Sequence, residues 1–298
     1  QDGFSSRAEI GLAGDDDLHL KVSADGSAWT EALLVDRASG RVRLPATDWA
    51  AQPNLLVNGD MAINQRGFAG GALGAAVYGF DRWKADAGGA SLSTSGFAIT
   101  LASGAVVQVV APALWGIASF AVVPLTLSVA GLSGGDLAVT IGSVSGAITA
   151  GSGRQSVTLT PAGGDSGPLP VRLGPAAGAV TLRRIKLEFG THATAWQARP
   201  LPQEQALARR YHWRLAGGFL FDGYQAAGQA LSGLILLPTA MRAVPGVSFS
   251  VLSQGNIDSG TARGIDTPTT GSARMWMTAA ATGRLFAEFS AIVFDAEL

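Results

Sequence analysis

Residues of this chain that could do covalent chemistry are few and far apart. Ser166 lies in Gly164-Asp165-Ser166-Gly167-Pro168-Leu169, a glycine-flanked setting that can present a hydroxyl to a carbonyl. An acyl-transfer serine also needs a base to take its proton and a carboxylate to orient that base. His19, His192 and His212 each stand in a different stretch, and none sits upstream in a small-residue setting fit for that base. The segment therefore reads as a loop between strands. The same histidines lack a second ligand at metal spacing. Asp15-Asp16-Asp17 offers oxygens to a hard cation, but not at calcium-loop spacing, and reads as a turn. Glycoside hydrolysis needs two carboxylates facing each other across a cleft; among 22 acidic residues no pair stands out by its setting. With no cysteine there is no disulfide, thiolate metal site or thiol nucleophile. The expectation is a protein with no catalytic residues and no metal ligands, not an enzyme.

Binding chemistry has better candidates. Sugars carry apolar ring faces that stack on indole and phenol rings. Trp115 lies inside an uncharged run, Tyr224 stands between Gly223 and Gln225, and Trp276 lies near Arg274 and Met277. Arg263 and Asp266, in the Gly/Ser/Thr-rich loop 253–272, could add polar contacts. These five are the predicted ligand-binding residues. Trp83 and Trp196 read as core, because each lies in a stretch expected to form a strand.

The elements that must position them follow from composition. The 298 residues have room for two or three domains. Forty Gly and 13 Pro with only 14% charged residues suit short strands joined by tight turns. A formal net charge of −1 gives no drive toward nucleic acid or an anionic membrane. Ala87 to Gly135 carries no charge, and Val106 to Leu132 is largely apolar. A spanning helix needs about 20 apolar residues, but Pro112 and Pro124 interrupt this run. Val122-Val123 and Leu125 to Val129 read instead as buried strands. The N-terminus lacks the charged-then-apolar pattern of a signal peptide.

An all-β chain results. Ala8–Leu12, Leu18–Val22, Trp29–Val35 and Arg41–Leu44 form an N-terminal β-meander over 1–45, with Leu18, Leu20 and Val22 on one face and His19 and Lys21 on the other. About 40 residues cannot bury enough surface alone, so another chain is the expected staple, preferably in a threefold assembly. A linker follows at 46–53, then a central β-sandwich of jelly-roll type at 54–200. Its first and last strands are Asn54–Arg66 and Leu182–Pro200, whose ends meet, with Leu137–Ile141, Ser156–Thr160 and Leu169–Leu173 between in the sequence. Pro202 to Leu215 is the one connecting helix (201–217 with its ends), with Leu207, Tyr211 and Leu215 on one face and Gly217-Gly218 as its stop. A C-terminal β-domain, 218–298, closes the chain with strands at Leu231–Leu237, Gly246–Leu252, Ala273–Met277 and Arg284–Phe294.

Asn54-Leu55-Leu56-Val57-Asn58-Gly59-Asp60-Met61, Ile63-Asn64-Gln65-Arg66-Gly67 and Tyr78-Gly79-Phe80-Asp81-Arg82-Trp83 resemble the opening of a receptor-binding module of phage tail fibres. Ile185-Lys186-Leu187-Glu188-Phe189-Gly190, Ala193-Thr194-Ala195-Trp196 and the helix Glu204 to Tyr211 resemble its close, with Ala208 where family members often have Cys. The pattern is also similar to jelly-roll carbohydrate-binding modules. Leu237 to Pro245, LPTAMRAVP, recurs in the C-terminal domain of such fibres. Phe4 to Leu44 is similar to a domain in tail-fibre proteins of alphaproteobacterial phages and gene transfer agents. The resemblance implies a homotrimeric fibre tip, located extracellularly on a virion or phage-like particle; because the meander opens at Gln1 without a start methionine, the chain is expected to be the distal fragment of a longer fibre. It would bind host cell-surface polysaccharide or lipopolysaccharide and join other tail or baseplate proteins, without nucleic acid or membrane insertion. No cofactor is implied beyond a structural Ca2+ that such modules often carry. The rival readings are a polysaccharide depolymerase and a purely structural spike.

Overall fold

The computed structural model describes residues 6–12, 14–40, 42–45, 52–258 and 263–298. The chain is all-β with a single α-helix among the described residues. No helix among them is long and apolar enough to cross a membrane.

The N-terminal strands are β1 (Ala8–Gly11), β2 (Leu18–Val22), β3 (Thr30–Val35) and β4 (Val42–Arg43), one antiparallel sheet in sequence order. Aspartates close two of its turns: Asp25 accepts the N–H groups of Ser27 and Ala28, and Asp36 those of Ala38 and Ser39. Strand β2 keeps the expected two faces, with Leu18, Leu20 and Val22 on one and His19 and Lys21 on the other, but burial does not follow residue type. His19 is buried between Asp15 and Glu31, while Leu18 and Val22 are exposed. Both carboxylates favour the imidazolium, Asp15 more strongly, and raise the His19 pKa. Ile10, 73% exposed, Leu12 and Val42 also face solvent, and no apolar residue of this sheet is among the buried ones. The expected linker at 46–53 lies, from 46 to 51, outside the described residues.

The central body holds β5 (Gly71–Leu73), β6 (Lys84–Ser95), β7 (Ala98–Val110), β8 (Leu125–Ser133), β9 (Leu137–Ile141), β10 (Val144–Ile148), β11 (Gly151–Leu159), β12 (Leu169–Pro175) and β13 (Val180–Phe189). The ladder runs β10-β9-β12-β7-β13-β8-β11, with β6 on the other side of β7 and β5 on β6. Strand β7 is shared: β12 pairs with its 106–110 half and β13 with 99–101. This wrap encloses Leu92, Ile99, Leu127, Val139, Val171 and Leu187 in a single core. The uncharged stretch is thus mostly strand, although Val122 is an exposed turn residue with a left-handed φ of 55° and not part of one.

Two expected elements differ. Asn54 to Ile63 is not a strand but an irregular, buried segment. It lies along β13 through two backbone bonds, Leu55 N–H to Leu187 O (2.7 Å) and Ile185 N–H to Gly59 O (3.1 Å). Asn54 supplies what a ladder would have: its amide donates to Ile185 O and its carbonyl accepts from Leu56 and Leu187. Trp83 is fully buried as expected, its Nε1 donating to Asn58 O at 2.9 Å.

The helix is also shorter than its periodicity suggests. α1 spans Leu201–Arg209, and β14 (His212–Gln225) follows at once. Ala208 and Leu207 dock on Val57 and Ile63, so the apolar face packs on the central body. Leu215 belongs to the strand. Gly217-Gly218 is not a helix stop but an irregularity in β14, where Ala216 faces Ala291 and Phe219 faces Phe289. Their φ values of +77° and +55° suit glycine. The remaining strands are β15 (Ala230–Leu236), β16 (Gly246–Gly255), β17 (Arg263–Asp266), β18 (Ser272–Thr278) and β19 (Gly283–Asp295). They make two three-stranded sheets, β14-β19-β16 and β15-β18-β17, packed over Met275, Met277, Leu285, Ala287, Phe289 and Phe294.

A charged seam joins this C-terminal sandwich to the central body. Glu297 bridges Arg66, at 3.1 Å, and Arg82. Asp295 meets His212 at 3.0 Å and Arg66 at 3.3 Å. Gln65 donates to His212 O (2.8 Å) and to the buried Asp81 (3.1 Å), while Tyr78 and Lys84 both donate to Leu298 O. The Arg82 guanidinium lies 3.5 Å from the centre of the buried Tyr211 ring. The two motifs Gln65-Arg66 and Asp81-Arg82 are therefore joints as well as parts of the sandwich.

Candidate functional site

The five residues singled out in the sequence do not converge. On β18, Ala273, Met275 and Met277 point into the core, so Arg274 and Trp276 point out. Register places Ser232, Trp276 and Gly264 in one row, and Leu234, Arg274 and Asp266 in the next. Gly264 lets the indole lie flat, since a Cβ there would stand 3.0 Å from Trp276 Nε1. Asp266 takes a two-point bond from Arg274, 2.8 Å from Nε and 2.6 Å from Nη2, which holds its carboxyl below the usual range. Leu234 and Leu236 complete an outer face with 67% and 69% exposure. Arg263 falls on the opposite, core-facing phase of β17, opposite Met277, so it does not join Asp266.

Tyr224 is 72% exposed but belongs to the other sheet, opposite Arg284 on β19. It and Trp276 thus occupy opposite outer faces of the C-terminal sandwich. Trp115 lies in the central body, in a 3-10 turn at Pro112–Trp115, packed on the core with the Arg199 guanidinium 5.8 Å from its ring. Only Trp276 and Asp266 of the five share a surface. The Asp15-Asp16-Asp17 turn is engaged with protein partners, Asp15 with His19, Asp16 with Arg37 and Asp17 with the Arg37 N–H. No group of three metal-ligating side chains occurs among the described residues.

Sequence reasoning missed a cleft of about 140 Å³ where residues 54–63 meet the 196–204 segment. Most of its polar wall is locked. Asn58, at a φ of 60°, ties its amide to Ile63 O and Asp81 O and its carbonyl to the Ile63 N–H, all at 2.9 Å. Glu204 accepts from the Asn58 N–H and pairs with Arg199 at 2.6 Å, and Arg199 donates to Leu56 O and Asn54 O. Trp196, expected in the core, is half-buried and lines the cleft, its ring edge against Gly59 and the Arg154 guanidinium 5.9 Å from its centre. A buried ion pair places it: Lys186 and Glu188, 3.1 Å apart and both on β13, bind Thr194, and Lys186 also binds Ala195 O. Asp60 is the exception to the locking. Its Oδ1 is shielded from water and has no hydrogen-bond partner among the described residues. Burial pushes its carboxyl above the usual range, with Arg184 and Arg154 acting the other way.

No protein-family model matches the chain, and no curated protein matches it.

Proposed function

We propose that this chain is the receptor-binding end of a phage-like tail fibre, a non-enzymatic homotrimer that attaches its particle to host surface polysaccharide. The observation that carries the reading is the N-terminal sheet. It turns Ile10, Leu12, Leu18, Val22 and Val42 to solvent and buries His19 instead, an arrangement that pays in hydration unless other copies cover that face. A four-stranded sheet without an apolar interior is not a free-standing unit. The fibre-module resemblance of the 54–83 and 185–211 stretches supports the same reading, because those residues are the ones that fasten the sandwich, helix and C-terminal domain together.

The contact surface in this reading is the outer face of β15-β18-β17. Trp276 supplies a ring to stack on, and the Arg274–Asp266 pair supplies fixed donors and acceptors beside it. Single contacts of this kind are weak, and three copies multiply them into useful avidity. Light scattering is expected to give a mass about three times 30.3 kDa, and a glycan array to show binding that Trp276→Ala abolishes. A monomer would refute the assembly; binding to a protein receptor and to no glycan would refute the ligand class.

A further inference from the structure

His19 has a carboxylate on each of its ring nitrogens. Nε2 stands 2.7 Å from Asp15 Oδ1 in the β1–β2 turn, and Nδ1 meets Glu31 Oε1 on β3. An imidazolium donates from both nitrogens at once. Neutral imidazole has a single N–H, so its bare nitrogen would face a carboxylate oxygen lone pair to lone pair. The arrangement therefore demands the second proton. The side chain is only 6% exposed, which leaves water little access to replace either partner.

The surrounding charges offer no substitute. Glu9 on β1, Lys21 on β2 and Glu31 on β3 form one row across the sheet, and Gly11, His19, Leu34 and Arg43 form the next. Asp16 and Asp17, beside Asp15, both engage Arg37, through its guanidinium at 3.4 Å and its N–H at 3.0 Å, while Arg43 acts on Asp36. Each fixed cation thus has carboxylates of its own to balance, and the imidazolium is what holds Asp15 and Glu31 together. Those two contacts, Asp15 foremost, push the His19 pKa up. A group raised in this way stabilises the fold below its unfolded value of about 6.5 and ceases to do so as pH climbs through the folded value. Asp15 is 58% exposed and Glu31 30%. On deprotonation Asp15, in a turn, swings into water, and Glu31, on a paired strand, keeps the remaining N–H. We propose that His19 is a proton-operated latch, which fastens the β1–β2 turn to β3 when charged and releases that turn when neutral. Leu18 and Val22 stand on the other face of β2, so a freed turn also disturbs the exposed apolar surface; only that consequence rests on the trimeric assembly.

The test follows amide protection in the full chain by hydrogen exchange from about pH 6 to about pH 9, with rates corrected for their intrinsic pH dependence. NMR of the His19 ring should place its titration above about 6.5. Protection over 18–22 and 30–35 should fall about tenfold as that titration passes, with the central strands unaffected. Glu31→Gln separates a latch from simple packing: an amide can accept from Nδ1 or donate to it, so charged and neutral His19 both fit and the fall should vanish. His19→Gln, which never carries the charge, should leave 18–22 and 30–35 poorly protected at every pH. A His19 titration at or below about 6.5, protection that stays level through it, or a fall in Glu31→Gln as large as in wild type overturns the latch. Light scattering over the same range judges the trimer separately: a monomer throughout refutes the assembly and leaves the latch to be decided by the exchange data.

Discussion

Glu297→Gln tests how the two bodies are joined. In the seam, Glu297 is nearly buried and holds the guanidinium of Arg82, whose side chain is 2% exposed, together with that of Arg66. The substitution keeps shape and one acceptor but leaves Arg82 buried over Tyr211 without its counter-charge. Breaking a buried pair from one side costs about 3–5 kcal/mol. The low end applies here, because glutamine still accepts a bond and Asp81 and Asp295 remain near Arg66. A loss of about 3 kcal/mol lowers Tm by about 6–12 °C for a cooperative unit of 150–250 residues. Each body has its own core, so scanning calorimetry should also show the transition splitting into two. The double variant Arg82→Met/Glu297→Gln should cost less than the sum of its parts by at least about 1 kcal/mol. If Glu297→Gln shifts stability by less than about 0.5 kcal/mol and the melt stays single, the seam is not what couples the bodies.

Gly59→Ala should cost about 1–3 kcal/mol by chemical denaturation, because a Cβ there would stand 2.3 Å from Ile185 O, where the 54–63 segment meets β13; a neutral result would mean that the closure is loose. Asp60→Asn should raise Tm slightly at neutral pH: burial lifts the folded-state pKa, so the ionised carboxyl disfavours the fold above that pKa. For Asp295 burial works upward, but His212, the Glu297 N–H and Arg66 outweigh it and hold the carboxyl at about 2. That depressed value contributes stability above the unfolded pKa of about 3.9, lost as pH falls from there to about 2. Asp295→Asn should flatten acid unfolding in that window, and an unchanged acid limb would count against the His212 contact.

Much of the fold was legible because strands write themselves as alternation. Leu18–Val22, Leu137–Ile141 and Arg284–Phe294 are strands at nearly the expected bounds, since each pairs over its whole length. Tyr211 and Leu215 continued the helical spacing of Leu207, yet the partner β19 captures 212–225 through a long ladder, and tertiary pairing overrode local period. Asn54–Ile63 looked like a strand because it is apolar and buried; two asparagine side chains do the work of ladder bonds there, which no periodicity reveals. The cleft stayed hidden for a related reason. Asp60 sits in a motif read as structural, and Trp196 was assigned to the core. A carboxylate between a glycine and a methionine in an otherwise apolar segment was the available signal.

The order of pairing has a bearing on biosynthesis. In the C-terminal sandwich the middle strand of one sheet is the last in the chain: β19 bonds to both β14 and β16, which do not touch each other as ladder partners. Those two strands, with their aromatic faces, leave the ribosome about 30 residues or more before anything can join them, and they must wait unpaired until 283–295 emerge. The central body closes earlier, at β13, well before that wait begins. A nascent chain stalled between the two events would carry a finished sandwich with a sticky, half-made cap, a vulnerable interval in which a chaperone would find its target.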